Sequence, residues 1–155
     1  MLVVSGDLPL LTVAAVEDFV AQAAAAEADF AYPIIPKEVC EARFPGGKRT
    51  YVRLRDGTFT GGNAVAVTRD FTTRRRALIT GIYTARKSPV KLASFFGLGF
   101  IIGVASGRLS ISQIEARASR IIGGRAKAII SRHAELGFDV DKLADLEVAR
   151  RAAAG

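Results

Sequence analysis

The segment that most restricts the fold is Leu2-Val3-Val4-Ser5-Gly6-Asp7-Leu8-Pro9-Leu10-Leu11-Thr12. An apolar, β-branched run ends at Gly6-Asp7, turns at Pro9, and reaches a residue type that starts helices, Thr12. Strand, tight turn and helix in that order form the opening of a layered α/β unit. The order also puts the Asp7 carboxylate at the carboxyl end of a strand, where open α/β sheets bind ligands. Residues 2–6 read as a buried parallel strand. A strand of this kind is not normally the first of its sheet, so the chain reads as beginning inside a domain.

Beyond Thr12, the residues Val13, Val16, Phe19 and Val20 keep helical spacing, and Glu17 and Asp18 suit the positive end of the helix dipole. This helix is predicted to run to about Ala28. Residues 30–35 predict a second strand, in which Pro33 suggests an edge or irregular position. Residues 36–47 read as a short helical turn and a loop, and residues 50–54 as a strand. Asp56-Gly57 signals a hairpin leading into Thr58-Phe59-Thr60. Gly61-Gly62-Asn63 then precedes an apolar strand at residues 64–67; paired glycines there admit close approach by a ligand or by another strand. Residues 71–85 predict an amphipathic helix with a basic face, Pro89 interrupts it, and residues 90–96 form another. Ser110 opens a helix through Ile111, Ile114, Ala118, Ile121 and Ile122 that stops at Gly123-Gly124. A β-type run at 125–130, a short strand at 138–141 and a helix at 142–153 complete the chain. Strands alternating with helices give an α/β layered sheet with antiparallel character from the hairpin. With no internal repeat and no linker, residues 1–155 read as one domain.

Composition narrows the function. Hydrophobic residues make up 50% and charged residues 24%, which excludes a disordered chain. The single Cys40 and single His133 leave no disulfide and no cysteine–histidine zinc site, and they suit a reducing, cytoplasmic setting. The start lacks the basic and apolar regions of a signal peptide. The most apolar stretch, residues 92–106, carries three glycines and falls short of the roughly 20 residues that span a bilayer. It reads as a buried helix or loop–helix. The net charge of +7 suits an anionic partner. The basic residues are spread along the chain without an RNP-like aromatic motif or zinc-finger spacing, which favours a nucleotide or phosphorylated small molecule over specific nucleic acid.

Four groups of residues are candidates for chemistry. Asp7 is suited to hold Mg²⁺, which takes few protein carboxylates and keeps water and phosphate oxygens; equally, it could cap the turn that follows. Asp139 and Asp141 alternate as in a strand and so share a face, where two carboxylates repel unless a cation or basic group lies between them. They read either as a second metal ligand or as a solvated Asp139 beside a helix cap at Asp141. Gly61-Gly62-Asn63 offers backbone N–H groups and an amide to a sugar or phosphate, or makes a tight turn. Lys48 and Arg49 could hold an anionic substrate, whereas Arg53 and Arg55 read as exposed strand charges. His133 reads as a loop histidine and Cys40 as a small buried hydrophobe.

Taken together, these segments resemble a family. Gly6 to Thr12 looks like the D-x-P-[LM]-[LIV]-[TS] segment of the MobA-like NTP transferases. Thr60-Gly61-Gly62-Asn63 resembles their substrate-side Gly/Asn segment, and Phe138 to Leu146 resembles their terminal D-[VI]-D-T-P-E-D-L segment, with Lys142-Leu143-Ala144 standing where T-P-E is usual. The resemblance implies a Rossmann-like, three-layer mixed α/β sheet. It also implies Mg²⁺-dependent transfer of a nucleotidyl group from an NTP to a phosphorylated small-molecule acceptor, with release of pyrophosphate. Asp7 would match the first metal ligand and the catalytic carboxylate, Asp141 the second, and Asp139 its alternative. Gly61, Gly62 and Asn63 would match acceptor contacts. The family's N-terminal strand and Gly-rich phosphate loop have no counterpart here, so the match is to the C-terminal portion of its domain. The expectation is therefore a nucleotidyltransferase or its acceptor- and metal-side portion, completed by self-association or by a missing N-terminal half. The alternative is a catalytically inactive remnant that binds a ligand or partner.

Overall fold

The structure, a computed structural model, describes residues 1–47, 49–75 and 97–154. Its strands are β1 (Leu2–Val4), β2 (Phe30–Pro36), β3 (Val52–Leu54), β4 (Gly57–Gly61), β5 (Ala64–Val67) and β6 (Ala126–Ile130). Its helices are α1 (Val13–Ala25), α2 (Lys37–Arg43), α3 (described over 69–75), α4 (Leu98–Ala105), α5 (Ile111–Ile122) and α6 (Leu143–Ala154), with a 3₁₀ turn at Ala134–Gly137. The predicted helical segments at 76–85 and 90–96 lie outside the described residues.

β2 is the central strand. β6 runs parallel on one side of it, with Phe30 opposite Ala126. On the other side β5 and β4 run antiparallel to it, as two stretches of one course interrupted at Gly62-Asn63. β1 lies beside β5, and β3 beside β4 in the predicted hairpin. The fold is thus the expected mixed α/β sheet with helices on both faces. One face carries the larger core, in which Ala31, Ile35, Ala64 and Ile129 of the sheet meet α1, α2, the 3₁₀ turn and α6. The other face carries a smaller cluster, in which Val67 and Ala126 meet Phe71 of α3 and Ile122 of α5.

Several local expectations held. The Thr12 side chain caps α1 by accepting the Ala15 N–H at 3.2 Å. A reciprocal capping box between Ser110 and Gln113 opens α5, and Gly123, at φ 64°, ends it in the left-handed conformation that glycine adopts without a Cβ penalty. The hairpin turn carries Gly57 at φ 145°.

Others are corrected. Residues 2–4 form an edge strand antiparallel to β5, not a buried parallel one; among the described residues β1 has one neighbour, and Val3 is 53% exposed. In α1 the buried ridge is Ala15, Phe19 and Ala23, while Val13 and Val20 face out. Small alanines on that ridge let the helix approach the sheet closely. Pro33 is not at an edge but fully buried in the central strand. It fits there because the interruption at Gly62-Asn63 lies opposite it, so the donor that proline lacks falls where the ladder is broken. Residues 138–141 pair with no strand; their backbone partners are loop and side-chain groups. α4 is the predicted helix in the most apolar stretch, yet Ile102 within it is exposed. Among the described residues no helix is long and apolar enough to cross a membrane.

Candidate functional site

β1, β2 and β6 all point the same way, and the three carboxylates named from the sequence meet at the carboxyl end of β1. The side-chain oxygens of Asp7, Asp139 and Asp141 all lie within 4.8 Å of one another. Asp7 follows β1 in a turn that the Ser5 hydroxyl steadies by donating to its carboxylate. Its carbonyl accepts the Val140 N–H at 3.1 Å. That bond draws the 138–141 segment against the end of β1. Asp7 and Asp141 are exposed, and Asp139 is partly covered.

Asp141 does not cap α6. The turn before the helix is closed by Asp145, whose carboxylate accepts the Lys142 N–H at 3.0 Å and the Asp141 N–H at 3.3 Å. The Asp141 side chain is left to the acidic cluster. Asp145 lies in the first turn of its helix, where carboxylates are favoured. That position is the signal by which sequence could have assigned the cap.

Arg49 reaches this cluster from the loop before β3. One guanidinium nitrogen pairs with the Asp139 carboxylate, and the other donates to the Asp139 carbonyl at 2.9 Å. The guanidinium also lies 4.5 Å from the centre of the Phe138 ring, which is buried and packed against Phe44 at 4.3 Å. Only 12% of the Arg49 side chain is exposed. Behind it is a cavity of about 10 Å³, room for one water, lined in part by Cys40, Phe44 and Tyr51. Burial pushes the Cys40 thiol up to about 11, with Arg49 pulling the other way, and burial raises Tyr51 as well. Lys48 lies outside the described residues.

The Gly61-Gly62-Asn63 segment adjoins the same end of the sheet. The Asn63 carbonyl accepts the Ser5 N–H at 2.9 Å, and the Asn63 N–H donates to the Leu136 carbonyl at 2.7 Å. The Gly62 N–H donates to Pro33 at 2.8 Å. A Cβ on Gly62 would lie 2.7 Å from Pro33 Cγ, and one on Gly61 would collide with the Tyr32 hydroxyl. The close approach made by these glycines is therefore to another strand. What this segment can offer a ligand is the Asn63 carboxamide.

Other candidates lie elsewhere. Arg53 and Arg55 are exposed on the β3 side. His133 sits 3.6 Å from Asp18 of α1, and Cys40 is a buried free thiol.

The cluster fits Mg²⁺ by its chemistry. Its donors are all oxygens, two of the three carboxylates are open to water, and a few carboxylates plus waters and phosphate oxygens is how that ion is held.

No protein-family model matches the chain. No curated protein matches it either. Among solved structures the chain is similar to a hypothetical transferase structure from Thermus thermophilus, with 44% sequence identity and a TM-score of 0.87. The match covers 94% of this chain and 62% of that one, so the chain spans less than two thirds of that structure's length. The likeness supports a transferase fold.

Proposed function

We propose that this chain is a Mg²⁺-dependent nucleotidyltransferase, or the acceptor- and metal-side portion of one. It would act on an NTP and a phosphorylated small-molecule acceptor. The observation that carries this reading is the convergence of Asp7, Asp139 and Asp141, from two motifs more than a hundred residues apart, within 4.8 Å at the end of a strand. The MobA-like resemblance of three motifs supports it, as does the similarity to a hypothetical transferase.

In this reading Asp7 and Asp141 hold Mg²⁺. Bound there, the ion would supply charge compensation for the phosphate oxygens of a nucleotide. The chain's own residues do the positioning. The Ser5 hydroxyl and the Val140 N–H fix the Asp7 turn. Arg49 fixes Asp139. Asn63, tied by its backbone to Ser5 and Leu136, presents its carboxamide to the acceptor.

A second reading has one observation behind it. The Gly62 and Asn63 N–H groups, which could have met a phosphate, are both engaged within the protein. That favours a catalytically inactive form of the fold that binds a ligand or partner. Isothermal titration of residues 1–155 with a panel of NTPs, with and without Mg²⁺, separates the two. The first reading expects binding of an NTP that requires Mg²⁺. Saturable binding indifferent to Mg²⁺ overturns it in favour of the second. No binding of any NTP by the folded chain leaves the acceptor-side portion, not a complete enzyme.

A further inference from the structure

We infer that Arg49 acts through Asp139: it neutralises that carboxylate from within the protein, so that Asp7 and Asp141 are the carboxylates left to face a divalent cation. This rests on the metal reading above.

The argument begins with charge. Three carboxylates whose oxygens lie within 4.8 Å carry a formal charge of about −3 at neutral pH, and like charges at that range repel strongly. Among the described residues, Arg49 brings a guanidinium against the cluster, and it is not placed as a side chain waiting for a substrate anion. It is largely covered, it contacts both the carboxylate and the carbonyl of one residue, and it rests on the buried ring of Phe138. The contacts with side chain and main chain hold the guanidinium charge beside the Asp139 carboxylate. The Val140 N–H, held by the Asp7 carbonyl, pins the next residue. Asp141 is thereby carried to the face of Asp7. With Asp139 compensated, the exposed pair Asp7 and Asp141 matches a divalent ion in charge. The anion-holding role expected for Arg49 is replaced by one within the protein.

Mn²⁺ titration of the 155-residue chain, followed by the electron paramagnetic resonance of free Mn²⁺, tests this without relying on turnover. Asp139→Asn should weaken Mn²⁺ binding by about tenfold, because it leaves the guanidinium charge uncompensated beside the ion. The double variant Arg49→Met/Asp139→Asn removes the pair together and should return the affinity to within about threefold of the starting protein. Arg49→Lys keeps the positive charge beside Asp139, guards against a misfolded Met variant, and should also stay within about threefold if charge is what Arg49 supplies. If the folded double variant binds as weakly as Asp139→Asn alone, Asp139 is itself a ligand and the inference fails. If Arg49→Lys, with an unchanged circular dichroism spectrum, loses more than about tenfold, neutralisation is not what Arg49 supplies and the inference fails too. Absence of Mn²⁺ binding by the unsubstituted chain is a different result: it overturns the metal reading itself.

Discussion

Two regions of this molecule each set carboxylates among basic and backbone groups, and they differ in what is left over. Along the outer edge of β6, Glu115 of α5 pairs with Lys127 at 2.9 Å through one oxygen and accepts the Ala128 N–H at 3.0 Å through the other. Ser119 accepts the Ala126 N–H at 2.9 Å. The edge N–H groups of Ala126 and Ala128 are thus capped by side chains, a recognised way to keep a sheet edge from recruiting another chain. At the end of β1, among the described residues, the bookkeeping does not close. Arg49 answers Asp139, but Asp7 and Asp141 remain exposed beside it. The groove at the β6 edge is by far the larger hollow, about 450 Å³, yet its polar side chains are already matched. Size alone would point to this groove and not to the acidic cluster of the proposed function. Among the described residues, unmatched like charge is what separates the acidic cluster from this groove.

The largest effect expected is on Asp7. On the proposed function, Asp7→Asn should lower Mg²⁺-dependent nucleotide turnover by on the order of a hundredfold or more. The same substitution should leave the melting temperature unchanged or raised, since it relieves repulsion within the cluster. Pyrophosphate release and a thermal melt on the same preparation check both. Unchanged turnover would sink the assignment of Asp7, and a melt lowered by several degrees would make it a structural residue like Glu115.

The opposite profile is expected at the β6 edge. Glu115→Ala removes the partner of Lys127 and uncovers the Ala128 N–H, at a cost of about 1–3 kcal/mol. Urea unfolding reads that cost, and Mn²⁺ titration should show no change in affinity. A stability loss below about 0.3 kcal/mol would mean that water replaces the cap without penalty, and the contrast between the two regions would lose one of its sides.

How much of this was legible in the sequence depends on the distance over which each feature acts. The Thr12 cap and the Ser110–Gln113 box are set by groups a turn apart, and the strand–turn–helix of residues 2–12 was readable for the same reason. Helical spacing placed α1 but not its buried side, because Val13 and Val20 form as regular a stripe as Ala15, Phe19 and Ala23. Pro33 argued for an edge, and only the break at Gly62-Asn63, in another strand, explains why it sits at the centre. The acidic residues could be named one by one from their chemistry and from the family resemblance. The partner of Arg49 could not, since Asp139 lies 90 residues away and no local pattern ties them. The same holds for the paired glycines, whose close neighbours are Tyr32 and Pro33.

The smallest expected effect tests how dry the inner side of the Arg49 clamp is. Cys40 lies behind the guanidinium, and burial raises its thiol from the ordinary 9.0 to about 11. In the unfolded chain the thiol loses its proton near the ordinary value, while in the native protein it keeps it to higher pH. The native state therefore binds more protons between those two values, and stability falls as pH rises from 9 towards 11, with the full contribution present below 9. Unfolding at pH 8 and at pH 10.5 should show a loss on the order of 1 kcal/mol that is missing in Cys40→Ala. Equal losses in both proteins would mean that water reaches the thiol, and that the Arg49 side of the acidic cluster is as wet as the Asp7 side.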